Sequence, residues 1–281
     1  MCYTRHGPMP MQIAAPQRPK APAVRHRRFA SLRSIGALML REMATTYGKS
    51  PGGYIWAVLE PVAGIAVLTF AFSFLFATPP IGTSFELFYA TGTLPFFMFT
   101  TICNRVGTAM VFSKSLLSYP AVTFVDAIIA RFLVNFLTEL LVFYLVVTAI
   151  LSLFDTRTVL DVRDIALSLS LTALFGLAMG TLNSYLFLRF HVWHVFWSVI
   201  SRPLFMISGV FFIYDALPPL LQEYLWYNPL IHAVGLMRAG FYPSYAGDYI
   251  SVLYMVGVSL ALLLLGLRLL SWHIRRLLHE S

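Results

Sequence analysis

The sequence predicts an all-α polytopic membrane protein, with six transmembrane helices, an N-terminal amphipathic interfacial helix and short re-entrant helices between spans five and six. Three observations predict it. Of 281 residues, 58% are hydrophobic and 11% charged, and the mean hydropathy is +0.75, outside the range of soluble globular domains. Six apolar runs reach the roughly 20 residues that a helix needs to cross the hydrocarbon core. Lysine and arginine are distributed very unequally between the two sets of connecting loops.

Residues 1–30, "MCYTRHGPMPMQIAAPQRPKAPAVRHRRFA", are rich in proline and arginine and hold no apolar core of signal-peptide length. They read as a disordered basic cytoplasmic tail. Arg25, His26, Arg27 and Arg28 form a topogenic cluster that also suits anionic lipid headgroups. Cys2 lies in this tail and Cys103 in the second span, so no disulfide framework or metal site is expected.

Residues 31–50 read as the amphipathic interfacial helix. Leu32, Ile35, Met39 and Met43 recur at helical spacing, with Arg33, Arg41, Glu42 and Thr45 elsewhere around the wheel. Its apolar face would rest among headgroups while Arg41 and Lys49 stay in water. Gly48-Lys49-Ser50 invites comparison with a phosphate-binding loop, but Met43 stands where that motif needs its first glycine. Pro51-Gly52-Gly53 then break the chain where a helix should begin. The stretch "YGKSPGGY" is therefore expected to be an elbow between the flat helix and the first span.

Residues 51–281 are expected to form the transmembrane domain. The spans run from Ile55 to Phe76, Leu87 to about Met110, Phe132 to Phe154, Ile165 to Leu188, about Val195 to Tyr214, and Ile250 to Leu270. With an even number, both termini share a side. That side carries sixteen basic residues, against Arg157, Arg163 and Arg238 on the other, with Arg202 inside span five. Both termini are thus expected to be cytoplasmic, and the net charge of +8 reports topology and gives no reason to invoke nucleic acid.

Ionisable side chains at membrane depth cost roughly 3 kcal/mol or more and persist in a cavity or beside a partner. Glu60 sits one turn into span one beside Pro61. Arg131, Asn135 and Glu139 recur every fourth residue and share one face of span three. Arg202 precedes Pro203 in span five. Glu60, Glu139 and Arg202 either pair across helices or line a polar path. Arg105 and Arg131, near helix ends, are expected to snorkel. Gly176, Gly180 and Ser184 form a small-residue series that permits close helix packing.

The segment from Asp215 to Tyr242 contains two apolar pieces too short to cross, broken at Pro218-Pro219 and Asn228-Pro229. Irregular backbone at membrane depth needs a covering of protein or water, so two short helices dipping back from the outer face are expected. Their aromatics, Tyr224, Trp226, Tyr227, Phe241 and Tyr242, fit either an interfacial belt or an exit where flat rings stack on sugars.

Three stretches in order, "LMLREMATTYGKSPGGYIWAVLEP", "KSLLSYPAVTFVDAIIARF" and "FMISGVFFIYDALPPLLQEYLWYNPLIHAVGLMRAGFY", resemble the permease subunit of ABC-2 type exporters of capsular polysaccharide in Gram-negative bacteria. The resemblance runs from Leu32 nearly to the C-terminus. It implies a non-enzymatic permease of the bacterial inner membrane, paired with a second copy of itself and with two cytoplasmic P-loop ATPase subunits that bind ATP and Mg. The chain itself would carry no cofactor. The cargo would be a polysaccharide glycolipid, with a periplasmic or outer-membrane export complex as a further partner. ATPase coupling would run through Ser113 to Thr123, with Lys114, Leu117, Tyr119, Pro120 and Asp126, and through Arg41 and Glu42. Tyr54, Trp56, Glu60, Arg131, Glu139, Arg202, Trp226 and Tyr227 are the candidates for the substrate pathway.

Other readings remain. An exporter of O-antigen or a teichoic-type polymer makes similar demands. A proton-coupled secondary transporter would be expected to show two similar halves, and no internal repeat is visible. A membrane-embedded enzyme would want D-x-D or H-E-x-x-H, and neither occurs; G-x-S-x-G occurs only as Gly48 to Gly52 of the elbow, where Pro51 leaves no N–H after the serine for an oxyanion hole.

Overall fold

In the computed structural model, which describes residues 30–46, 52–117 and 122–280, all regular structure among those residues is helical. Helix α1, Ala30–Thr46, precedes α2, Gly53–Ser73. Gly52 enters α2 at φ 83°, a left-handed backbone that glycine adopts without steric cost. The rest of the expected elbow, 47–51, lies outside the described residues. Helix α3, Phe85–Gly107, starts where Ser84 Oγ accepts the Leu87 N–H at 3.1 Å. Two single turns follow, α4 at Ala109–Phe112 and α5 at Lys114–Leu117.

Helix α6, Phe124–Leu153, opens with a reciprocal cap. Thr123 Oγ1 accepts the Asp126 N–H at 3.2 Å, and the Asp126 carboxylate accepts the Thr123 N–H at 3.0 Å. Both orphan donors of the first turn are thereby satisfied. Helix α7, Val162–Arg189, follows an Asp161 cap. Then come α8, Trp193–Ile207, a 3-10 turn at Tyr214–Ala216, α9, Pro219–Leu225, α10, Pro229–Phe241, and α11, Val252–Glu280.

Among the described residues, four helices are long and apolar enough to cross a membrane: Ile55–Ser73 in α2, Phe124–Leu153, Val162–Arg189, and Val252–Ile274 in α11. Helix α3 has 23 residues but interleaves its apolar side chains with threonine, glycine, asparagine and Arg105. Helix α8 has 15 residues, about 22 Å at 1.5 Å per residue, and stops at Ile207 although the apolar run continues to Tyr214. The stop has a local cause. Gly209 turns to φ 80°, and the Asn228 amide donates to the Ile207 carbonyl at 3.1 Å, pinning the helix end.

Helix α7 is the centre of the bundle, packed on α3, α10 and α11. Its apolar window is 56% buried, against 11% for α2 and 17% for α11. Small residues bring α3 and α7 together: a Cβ on Gly180 would stand 2.8 Å from the Val106 Cβ. One turn on, Ser184 Oγ donates to the Val106 carbonyl at 2.6 Å. The small-residue series is therefore a packing seam.

Helix α1 lies along α6, with a different face inward than its periodicity suggested. Leu38 and Glu42 are buried, while Leu32 and Leu40 stay exposed. A carboxylate turns inward because a cation on α6 receives it.

Candidate functional site

Helices α2, α3 and α6 line a cavity of about 640 Å³, open to the surface, near the α4 end of α3. Trp56 and Glu60 reach it from α2, Thr100, Thr101, Asn104 and Arg105 from α3, and Glu139 from α6. Pro61 has no N–H to offer the Ala57 carbonyl one turn back, and both residues line the cavity. Glu139 shares the cavity lining with Thr101, Glu60 and Arg105. The lining combines two aromatic rings, Trp56 and Phe97, with carboxylates, a guanidinium, an amide and hydroxyls. Such a set recognises a hydroxyl-rich ligand through stacking and hydrogen bonds.

Behind the cavity wall lies a second cluster. Arg131 of α6 reaches Glu42 of α1 with Nη2 at 2.9 Å and Nε at 3.0 Å from Oε1. Its Nη1 donates to Thr108 Oγ1 at 3.0 Å, and Thr108 also lines the cavity. The Arg131 guanidinium stands 4.3 Å from the centroid of the Phe112 ring, and that of Arg41 4.7 Å from the same centroid. Arg41 Nη2 also donates to the Phe112 carbonyl at 3.4 Å.

The structure therefore corrects two expectations. Arg131 does not snorkel: it is 5% exposed because Glu42 and Thr108 satisfy it inside the protein. Arg41 is half-buried against Phe112 instead of standing in water.

Of the pathway candidates, the cavity unites Trp56, Glu60 and Glu139. Tyr54 lies in the first turn of α2. Arg202 is elsewhere, at an apolar groove with Gly64, Phe97 and Phe205. Trp226 donates from Nε1 to the Tyr249 carbonyl at 3.1 Å and packs against His232 and Tyr254. Tyr227 is exposed, and its carbonyl accepts from the Tyr254 hydroxyl at 2.7 Å. Among the coupling candidates, Lys114 is exposed at the start of α5, Leu117 ends it, and Tyr119 and Pro120 lie outside the described residues. Asp126 caps α6, a role its T-x-x-D spacing could have revealed.

One buried group gave no warning beyond being an arginine within an apolar stretch. Arg238 is 1% exposed. It donates to the carbonyls of Phe212 at 2.6 Å and Val210 at 3.2 Å, with its guanidinium 4.4 Å from the centroid of the Phe88 ring. It ties α10 to the turn after α8 and to the start of α3. Nearby, His232 contacts the Trp226 carbonyl through Nε2 at 2.8 Å, while its Nδ1 accepts the Ser251 N–H at 3.2 Å. Those partners assign a neutral ring with the proton on Nε2, and burial holds its pKa below the ordinary value of 6.5.

The profile of the ABC-2 type transporter family matches residues 33–242. The chain belongs to the ABC-2 type transporter family. Within this family's described reach fall both clusters, from Glu42 to Glu139, and the Arg238 lock. Similar proteins include the polysialic acid transport protein KpsM of Escherichia coli, 30% identical over 236 residues, which cover 84% of this chain and 92% of KpsM. The capsule polysaccharide export inner-membrane protein CtrC of Neisseria meningitidis serogroup B is 27% identical, over 85% of this chain and 90% of CtrC. The protein of the same description from Haemophilus influenzae, BexB, is 28% identical over 84% and 89%.

Proposed function

We propose that this chain is the transmembrane permease subunit of an ATP-driven exporter that moves lipid-linked capsular polysaccharide across the bacterial inner membrane. The observation that carries the reading is similarity over 84–85% of the chain to inner-membrane proteins named for polysialic acid transport and capsule polysaccharide export. A polar cavity lined from α2, α3 and α6, of which α2 and α6 are long and apolar enough to cross a membrane, supports it with groups suited to a hydroxyl-rich ligand.

In this reading ATP and Mg are bound by a separate P-loop subunit, which docks on the segment 113–123 around Lys114, Leu117, Tyr119 and Pro120. Helix α3, and α8 extended by 208–213, complete six spans, with both termini cytoplasmic. Helices α9 and α10 dip back from the outer face without crossing, which puts Trp226 and Tyr227 at the exit. Trp56, Glu60 and Glu139 face the polymer, with Tyr54 at the entrance. A second copy covers the exposed face of α2 and α8 that carries Glu60 and Arg202, since a charge facing lipid at that depth costs roughly 3 kcal/mol. Capsular polymer is preferred over O-antigen or teichoic-type cargo because the similar proteins are named for capsule and polysialic acid.

Purification of a C-terminally tagged chain from native membranes in mild detergent tests the reading. A P-loop ATPase is expected to accompany the chain and to be lost when 114–120 is altered. A chain that arrives alone under gentle conditions would overturn the proposal and redirect attention to Glu60 and Glu139 as a proton-coupled path.

A further inference from the structure

We infer that Arg131 is a strut that passes ATPase-driven movement of α5, Lys114–Leu117, to the wall of the substrate cavity. The inference rests on the exporter reading.

One guanidinium joins three elements. Through Glu42 it holds α1, through Phe112 it holds the turn that runs directly into α5, and through Thr108 it holds the end of α3. Thr108 is the last step to the cavity. Its hydroxyl lies 2.9 Å from the Asn104 carbonyl, and Asn104, Arg105 and Thr108 all line the cavity. Phe112 is separated from Lys114 by a single residue, so displacement of the docking segment reaches the ring at once. Arg41, stacked on the same ring and bonded to its carbonyl, stiffens the attachment to α1.

The chemistry suits a strut. A guanidinium is a rigid planar fork whose donors are preset in direction, unlike the flexible ammonium of lysine. Charge-assisted bonds in a buried site hold geometry closely. Attachment of α1 to α6 alone does not require this arrangement, because an apolar pair of similar volume generally holds two elements as well as a buried ion pair does, or better. What an apolar pair would lack is the directed bond to Thr108. The link is therefore positional: it fixes where Thr108 sits relative to Glu42 and Phe112.

Two variants test this in the complete complex with its ATPase. The double variant Glu42→Met/Arg131→Met removes both charges without orphaning either. It is expected to melt close to wild type and to retain the ATPase with hydrolysis within about two-fold, while export falls about ten-fold, the larger end of the effect of a residue on a coupling route. Export at the wild-type level from this variant would overturn the inference, since a merely structural pair is replaceable by apolar packing.

The second variant, Thr108→Val, removes the acceptor of Arg131 Nη1 and leaves the Glu42–Arg131 pair in place, with Thr108→Ser, which keeps the hydroxyl, as its control. Thr108→Val is expected to lose export about ten-fold with hydrolysis kept within about two-fold, and Thr108→Ser to export close to wild type. Export at the wild-type level from Thr108→Val would overturn the strut even if the methionine variant failed to fold. Wild-type chain without an ATPase would overturn the exporter reading and this inference together; a coupled wild type with a fully active methionine variant would overturn this inference alone.

Discussion

At the scale of single residues, Arg238 and His232 show how buried polar groups fix the end of the bundle where α10 packs. Replacing Arg238 by Ala leaves the Val210 and Phe212 carbonyls without their donor and opens space under Phe88. A loss of at least about 2 kcal/mol is expected, from orphaned buried acceptors at roughly 1–3 kcal/mol each, and thermal unfolding in detergent measures it. Arg238→Lys should recover only part, because one ammonium cannot reproduce the fork. For His232 the folded pKa lies below 6.5, so the folded state binds its proton less readily than the unfolded chain does. The associated stability is complete above 6.5 and declines as pH falls through that value towards the folded pKa. Melting curves on acidification should fall more steeply for wild type than for His232→Gln. Neither residue was legible in the sequence, because burial of a charge among carbonyls leaves no periodic mark. Glu60 and Glu139 were, because a carboxylate inside an apolar run stands out wherever it points.

At the scale of elements, the α3–α7 seam and the α6 cap make opposite demands on small side chains. Gly180→Leu drives a side chain into Val106 and the Cys103 carbonyl and is expected to cost about 1–3 kcal/mol or more, as overpacked cores do. Gly257 in α11 faces open space, so Gly257→Ala should be neutral or stabilising by up to about 1 kcal/mol through helix propensity. The pair, compared by melting temperature, separates a packing role from a propensity effect. Thr123→Ala removes one arm of the α6 cap and should cost about 1 kcal/mol without altering the cavity. Hydropathy located α2, α6, α7 and α11 because each is bounded by polar loops. It extended α8 past its true end, because the bond that pins Ile207 comes from Asn228, a residue 21 positions later. The inward face of α1 was missed for a similar reason: Glu42 reads as a water-facing residue until Arg131, 89 positions away, is placed beside it.

At the scale of the whole molecule, burial falls from the centre at α7 to α2 at the edge, and the edge carries the chemistry. Trp56 and Glu60 are exposed there. Val67 is 65% exposed on α2, and Val67→Cys in a Cys2→Ser background should cross-link two copies in native membranes if the exposed α2 face is where they meet; monomer alone would move the interface elsewhere. The dense contact between α3 and α7 also bears on how the chain is made. Helix α3 leaves the ribosome long before α7, yet much of what would hold it in the bilayer is α7: glycines matched to Val106 and Ile102, and the Ser184 bond to a backbone carbonyl. A nascent chain stopped after α6 should therefore leave α3 extractable or still lodged beside the insertion machinery, and synthesis through α7 should release it into lipid. The seam that sets the shape of the finished bundle would then also set the order in which its helices can leave the insertion site.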